Sequence, residues 1–141
     1  MGGGGEALKG NIDIDIFYVG YIEIDKIKVM LFSAADLFIF PTRADNLPLV
    51  LQESMACATP MVACNVGGVP DLVRPGITGM LAEPENPQDL AHKIEQLLID
   101  RETRQQMSQN CREIAVKEYN LSLQAQRYIQ LYEQVLADFH K

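Results

Sequence analysis

The spacing of apolar and polar positions changes several times along the chain, and each spacing predicts an element. "IDIDIFYVG" (12–20) alternates and then turns apolar, as a strand entering a core does, and Gly20 ends it. "DKIKVMLFSAA" (25–35) sets Ile27, Met30, Leu31 and Ala34 on one side of a short helix. "DLFIFPT" (36–42) is a continuous apolar run closed by Pro41, which suits a parallel strand covered on both faces. "PLVLQESMACA" (48–58) reads as a helix with Pro48 near its first turn. "PMVACN" (60–65) is another buried strand, "GGVPDLV" (67–73) a glycine turn into one helical turn, and "TGMLAE" (78–83) a short strand.

The remainder has a helical rhythm. "PENPQDLAHKIEQLLID" (84–100) opens with Pro and Asp at a helix start and keeps Leu90, Ile94, Leu97 and Leu98 in period. "RETRQQMSQNCREIAVKEY" (101–119) is a second, more polar helix. "SLQAQRYIQLYEQVLADFH" (122–140) is a third, whose stripe of Tyr128, Ile129, Leu131, Tyr132, Val135, Leu136 and Phe139 predicts core packing.

Strand–helix alternation followed by helices means an α/β fold, a Rossmann-like parallel sheet sandwich of about four strands (12–19, 36–41, 60–64 and 78–82) with C-terminal helices. Ligands in such sheets bind beyond the carboxyl ends of the strands. Those ends carry "GYI" (20–22), "TRADNLP" (42–48), "NVGG" (65–68) and "EPENP" (83–87).

Composition narrows the partners. The chain has 141 residues, one domain's worth, and a formal net charge of -7. That argues against a nucleic-acid or anionic-membrane partner, both of which favour a basic face. A small anionic ligand stays open, because helix N-termini bind phosphate through backbone amides. Cys57, Cys64 and Cys111 show no metal spacing and read as reduced, buried, small apolar residues of a cytoplasmic protein. No apolar run reaches the roughly 18 residues of a membrane span. "MGGGGEALKGN" (1–11) lacks a signal peptide's apolar core and reads as a glycine-rich start, either a native turn or an artificial junction.

One segment is chemically unusual. Between Arg43 and Arg74 the only charged side chains are Asp45, Glu53 and Asp71. With a helix starting near Pro48, Asp45 lies in the loop before it and Glu53 leans back toward its N-terminus. The amides of Leu49 and Val50 should be free there, while Pro48 has none to offer. Amides and the positive end of the dipole suit a phosphate, and ionised carboxylates accept from hydroxyls. A plainer alternative has Asp45 or Asn46 capping the helix and Glu53 as a surface residue. Gly67 and Gly68 let backbone approach a ligand closely or form an ordinary turn. Asp71 either borders that loop's site or caps the short helix after it.

Asp45 through Glu53, followed by "SMACATPMVACNVGGVPDLV" and "GITGMLAEPENPQDLA", resembles the donor-binding C-terminal domain of GT-B-fold retaining glycosyltransferases of the glycosyl transferases group 1 type, family 4. The resemblance covers about residues 13 to 138; "FYVGYI", "SAADLFIFPT" and "YIQLYEQVL" fit it too. It implies that residues 12–141 are a partial nucleotide-sugar-binding domain. The family's Glu-x7-Glu motif reads Asp45-x7-Glu53 here. By resemblance Glu53 binds the ribose hydroxyls and Asp45 lies near the transferred sugar. Asn46, Leu47, Pro48, Leu49 and Val50 hold the diphosphate and sugar. Tyr21 and Ile22 meet the nucleobase, and Gly67 and Gly68 border the reaction centre.

The family pattern departs at Asp45 and Asp71, where Glu is usual, and at Ala58, where Gly is usual. The family's Gly-Arg turn and following Lys, which clamp the diphosphate, have no match, and neither does its N-terminal acceptor-binding domain. The implied function is hexosyl transfer from a nucleotide-diphosphate sugar to a hydroxyl acceptor in glycan, glycolipid or polysaccharide synthesis. No cofactor or metal is expected, and this chain alone is expected to be inactive. The full protein is compatible with peripheral contact at the inner membrane face. The family's sheet order is 3-2-1-4-5-6, and with its first two strands unmatched an exposed edge predicts self-association. The alternatives are a non-catalytic nucleotide-binding or docking module, or a piece of another GT-B enzyme such as a sugar-nucleotide epimerase or a phosphorylase.

Overall fold

The computed structural model describes residues 14–139. The glycine-rich start and the first two residues of the expected strand 12–19 lie outside them. The elements run α1 (Asp25–Ala34), β1 (Phe38–Phe40), α2 (Leu49–Ala56), β2 (Met61–Cys64), α3 (Val69–Leu72), β3 (Gly79–Ala82), α4 (Pro87–Ile99), α5 (Arg101–Glu118) and α6 (Leu121–Phe139). The strands form one parallel sheet in the order β1-β2-β3, with Phe38 opposite Met61 and Met61 opposite Gly79.

Sequence explains the middle strand best. All four residues of β2 are buried, as an uninterrupted apolar run requires when both faces are covered. Met61 and Ala63 pack with Leu51 and Met55 of α2, Val69 and Leu72 of α3, and Cys111 and Ala115 of α5. Val62 points the other way, to Leu97 of α4 and Met107 of α5. Each fully buried Leu or Met side chain contributes about 1.5–3 kcal/mol.

Local chemistry sets the helix ends. The Asn86 side chain accepts from the Asp89 amide at 3.0 Å and Pro87 fills the first position of α4. Asp100 does the same for α5, accepting from the Thr103 amide and hydroxyl at 3.0 and 2.7 Å, which draws its carboxyl below the usual value. Arg104 donates to the Leu97 and Leu98 carbonyls at 2.7 and 2.9 Å, closing the end of α4. At the end of α2, Ala58 takes a left-handed φ of 62°. Its amide bonds to the Met55 carbonyl and that of Thr59 to the Ser54 carbonyl, the 5→2 and 6→1 pair that closes a helix.

Several expectations fail. Residues 14–19 are irregular, and among the described residues the sheet has three strands rather than four. Ile14 and Phe17 are exposed. Alternation states a preference, but a strand forms only where its backbone groups pair with a neighbour, and residues 14–19 pair with no strand of the described sheet. The stripe of α6 is not core: no residue of this helix is buried. Periodicity marks where an apolar face lies, not whether anything covers it. Likewise β1 is an edge strand with Ile39 41% exposed, not covered on both faces, and α1 buries no residue. Among the described residues no helix is long and apolar enough to cross a membrane.

Candidate functional site

α1 and α2 each precede a strand of the parallel sheet, so both run against the strands and both start at the carboxyl edge. The N-terminus of α2 faces that edge without a side-chain cap: Pro48 is its cap residue. The capping alternative for Asp45 and Asn46 is therefore set aside. The amides of Leu49 and Val50 donate to no partner among the described residues, while that of Leu51 donates to the Pro48 carbonyl at 3.1 Å. Pro48 is buried and anchors the start, whereas Leu47 and Leu49 are exposed. Two unused amides thus stand at a positive dipole end, able to receive an anion.

The loop before α2 is fastened by the glycine turn. The Gly68 amide donates to the Asp45 carbonyl at 3.1 Å. A Cβ on Gly67 would collide with the Asp45 carbonyl oxygen, and one on Gly68 with that of Asn46. Gly67 also holds a φ of +51°. The glycines thus accommodate the chain's own backbone, and through it they place Asp45. The half-buried Asp45 carboxylate makes no hydrogen bond or ion pair among the described residues, so it stays available to a hydroxyl donor. Asp71 caps nothing, since α3 has no side-chain cap. Its carbonyl accepts from the Tyr119 hydroxyl at 3.2 Å.

Glu53 has company that sequence reading missed. Lys28 of α1 donates to Glu53 Oε1 at 3.1 Å and also reaches Asp25 at 2.9 Å. These two hydrogen bonds, Asp25 first, raise the lysine's pKa. The three charges line an open groove of about 230 Å³ with Val29, Phe32, Ala56 and Cys57. The helices are tied at their far ends by the Thr59 hydroxyl, which donates to the Phe32 carbonyl at 2.7 Å. Lys28 lies 25 positions before Glu53, and only its i+3 spacing from Asp25 hints that a cation faces that side.

The structure joins the predicted residues in groups. Asp45 and Asn46 meet Gly67 and Gly68 through backbone, and Leu49 and Val50 start the next element. Leu47 opens onto a groove of about 380 Å³ with Gln52, Tyr119, Tyr128 and Leu131. Tyr21 and Ile22 lie on a separate groove of about 510 Å³ against Ile24, Ile27 and Leu31 of α1 and its approach. Another groove, of about 390 Å³, opens at the carboxyl edge between Arg43 and Glu85, with Cys64 and Asn86. No group of three His, Cys, Asp or Glu among the described residues could hold a metal ion.

Comparison with known proteins places this geometry. The sequence profile of the family "Glycosyl transferases group 1" matches residues 5–114. Alpha-D-kanosaminyltransferase of Streptomyces kanamyceticus is 31% identical over 73% of this chain and 27% of its own length. N-acetyl-alpha-D-glucosaminyl L-malate synthase of Bacillus anthracis is 32% identical over 77% of this chain and 28% of its own. The fold superposes on sucrose-phosphate synthase of Thermosynechococcus elongatus with a TM-score of 0.79 and 33% identity, over 86% of this chain and 30% of that one. Anabaena HepE, solved in complex with UDP-glucose, gives 0.69 and 27%, over 74% and 29%. The chain thus spans less than a third of each of these proteins. With a parallel α/β sheet, an uncapped helix start at its carboxyl edge and a profile match over most of its length, the chain belongs to the group 1 glycosyltransferases, which have the GT-B fold.

Proposed function

We propose that this chain binds the nucleotide-diphosphate sugar used by a retaining, cytoplasmic hexosyltransferase. The observation that carries the reading is the uncapped start of α2, whose Leu49 and Val50 amides are unused among the described residues, following a loop whose Asp45 carboxylate is likewise unpaired among them. The diphosphate accepts from those amides, and the dipole's positive end stabilises the charge that grows on it as the sugar leaves. Asn46, Leu47 and Pro48 shape the loop around the sugar, and Asp45 accepts from its hydroxyls. Glu53 accepts from the ribose, and Tyr21 and Ile22 take the base. The UDP and UDP-glucose bound to the Anabaena neighbour support this assignment.

The hydroxyl acceptor belongs to the other domain of a full-length enzyme, and the isolated chain binds without turning over. Titration calorimetry with UDP, ADP and GDP tests the reading. One of them binds, and Glu53→Gln weakens it about tenfold, the worth of one charge-assisted hydrogen bond. Binding that ignores Glu53→Gln and Asp45→Asn alike would refute the assignment, and turnover by the chain alone would refute its inactivity.

A second reading, a docking module, is favoured by the exposed apolar faces of α1 and α6 and by the open β1 edge at Ile39. Such an edge pairs with another copy, and a strictly monomeric sedimentation profile at high concentration would count against it.

A further inference from the structure

We propose that Lys28 is a positioning residue for ribose recognition, holding the Glu53 carboxylate so that its second oxygen faces the hydroxyls of a nucleoside diphosphate. This rests on the nucleotide reading above and adds a residue to it. Lys28 is the fourth residue of α1 and Glu53 the fifth of α2, and both helices start at the carboxyl edge of the sheet. Their side chains therefore meet about one turn below the edge where the diphosphate is received, since helical side chains lean toward the N-terminus.

The chemistry of the contact is asymmetric. Lys28 bonds Glu53 Oε1 at 3.1 Å, and Oε2 has no partner among the described residues. One oxygen is anchored and the other is free to accept. Glu53 is 42% exposed at its side chain, so without the anchor its torsions are disordered and must be fixed when ligand binds. Asp25 also holds the ammonium, at 2.9 Å. The cation has a second effect. Asp25 and Glu53 together place two negative charges near an incoming diphosphate, and Lys28 halves that net charge. The groove these groups share is also lined by the apolar side chains of Val29, Phe32 and Ala56.

A bare surface ion pair tying α1 to α2 would have the same distances, so the test must read ligand chemistry rather than stability. Calorimetry on the 141-residue chain compares UDP, ADP and GDP with their 2′,3′-dideoxy analogues in wild type, Lys28→Ala and Lys28→Arg. The wild-type chain prefers the ribonucleotide about tenfold, one hydrogen-bonded pair's worth. Lys28→Ala loses about fivefold on the ribonucleotide and little on the dideoxy analogue, so the preference falls to about twofold. Lys28→Arg restores it. An unchanged preference in Lys28→Ala overturns the inference while leaving nucleotide binding intact. Equal losses on both ligands, accompanied by a lowered melting temperature, also overturn it and assign the pair to stability alone. If the wild-type chain binds none of these nucleotides, the donor-binding reading itself has failed and this inference falls with it.

Discussion

Arg74 grips Glu118 with both arms of its guanidinium, at 3.1 and 2.6 Å, across 44 positions of sequence. Arg74 follows α3 and Glu118 ends α5, so the pair pins the helix after the glycine turn to the longest helix in the α2–α3–α5 layer. Its partner in this is Tyr119, whose hydroxyl donates to the Asp71 carbonyl at 3.2 Å. Arg74 holds the Glu118 carboxyl below its ordinary value of 4.5. A depressed folded-state pKa stabilises the fold above the unfolded value and loses that contribution as pH falls through the folded one.

Arg74→Gln should therefore lower stability by about 1 kcal/mol at pH 7, a figure set by half-exposed pairs screened by solvent. The difference from wild type should shrink as pH drops below the ordinary carboxyl value. Urea denaturation at pH 7 and pH 3 checks both. An equal difference at the two pH values would mean that the ion pair is not its source.

Gly68→Ala should lower stability by about 1–3 kcal/mol, the usual cost of forcing extra volume into packed backbone. The new Cβ meets the Asn46 carbonyl, which cannot rotate away as a side chain would. Gly67→Ala should cost more per added atom, because its φ of +51° is strained for any L side chain. Nucleotide affinity should fall with each, since the displaced loop carries Asp45. Wild-type denaturation midpoints for both variants would remove the clasp from the account.

Ala58→Gly should move stability the other way. Ala58 ends α2 at a φ of 62°, where a side chain costs about 1–2 kcal/mol. Glycine removes that strain and gives back about 0.5–1 kcal/mol in unfolded-chain entropy, leaving a net gain of about 0.5–1 kcal/mol. A rise of a few degrees in melting temperature confirms it; a fall shows that the Ala58 methyl packs more than it strains.

Of the three thiols, Cys57 alone should react quickly with a disulfide reagent in the folded chain. Cys111 is buried and its thiol is pushed up to about 12 by desolvation, so almost no thiolate forms at pH 8. Cys64 is buried as well, while Cys57 is partly exposed. Thiol counting with and without denaturant should read one fast group and then three. Rapid labelling of Cys111 in the folded state would contradict its burial.

What sequence shows and hides follows from reach. All nine elements have limits within about three residues of the expected ones, because capping residues such as Asn86 and Asp100, the glycines and the apolar runs act locally. β1 is shorter than its apolar run, Phe38–Phe40, since only those residues find partners in β2. Residues 14–19 and the apolar face of α6 depart from expectation because each depends on a neighbouring surface, which no periodicity encodes. The amide start and the Asp45 loop were legible from Pro48 and the residues around it. Lys28 beside Glu53 and Arg74 beside Glu118 were not, since both pairs are assembled by helix packing across long separations.

The glycine clasp has a consequence for how this surface can vary. Gly67 and Gly68 touch residues 45 and 46 through their carbonyl oxygens, and the Asp45 side chain takes no part in the contact. Folding thus constrains positions 67 and 68 and leaves the Asp45 side chain unconstrained. The side chain at position 45 can therefore change without disturbing the loop that presents it. Substitution at position 45 changes the group that the loop presents, whereas a side chain at 67 or 68 displaces the loop itself. The architecture keeps the side chain on display separate from the backbone contact that places it.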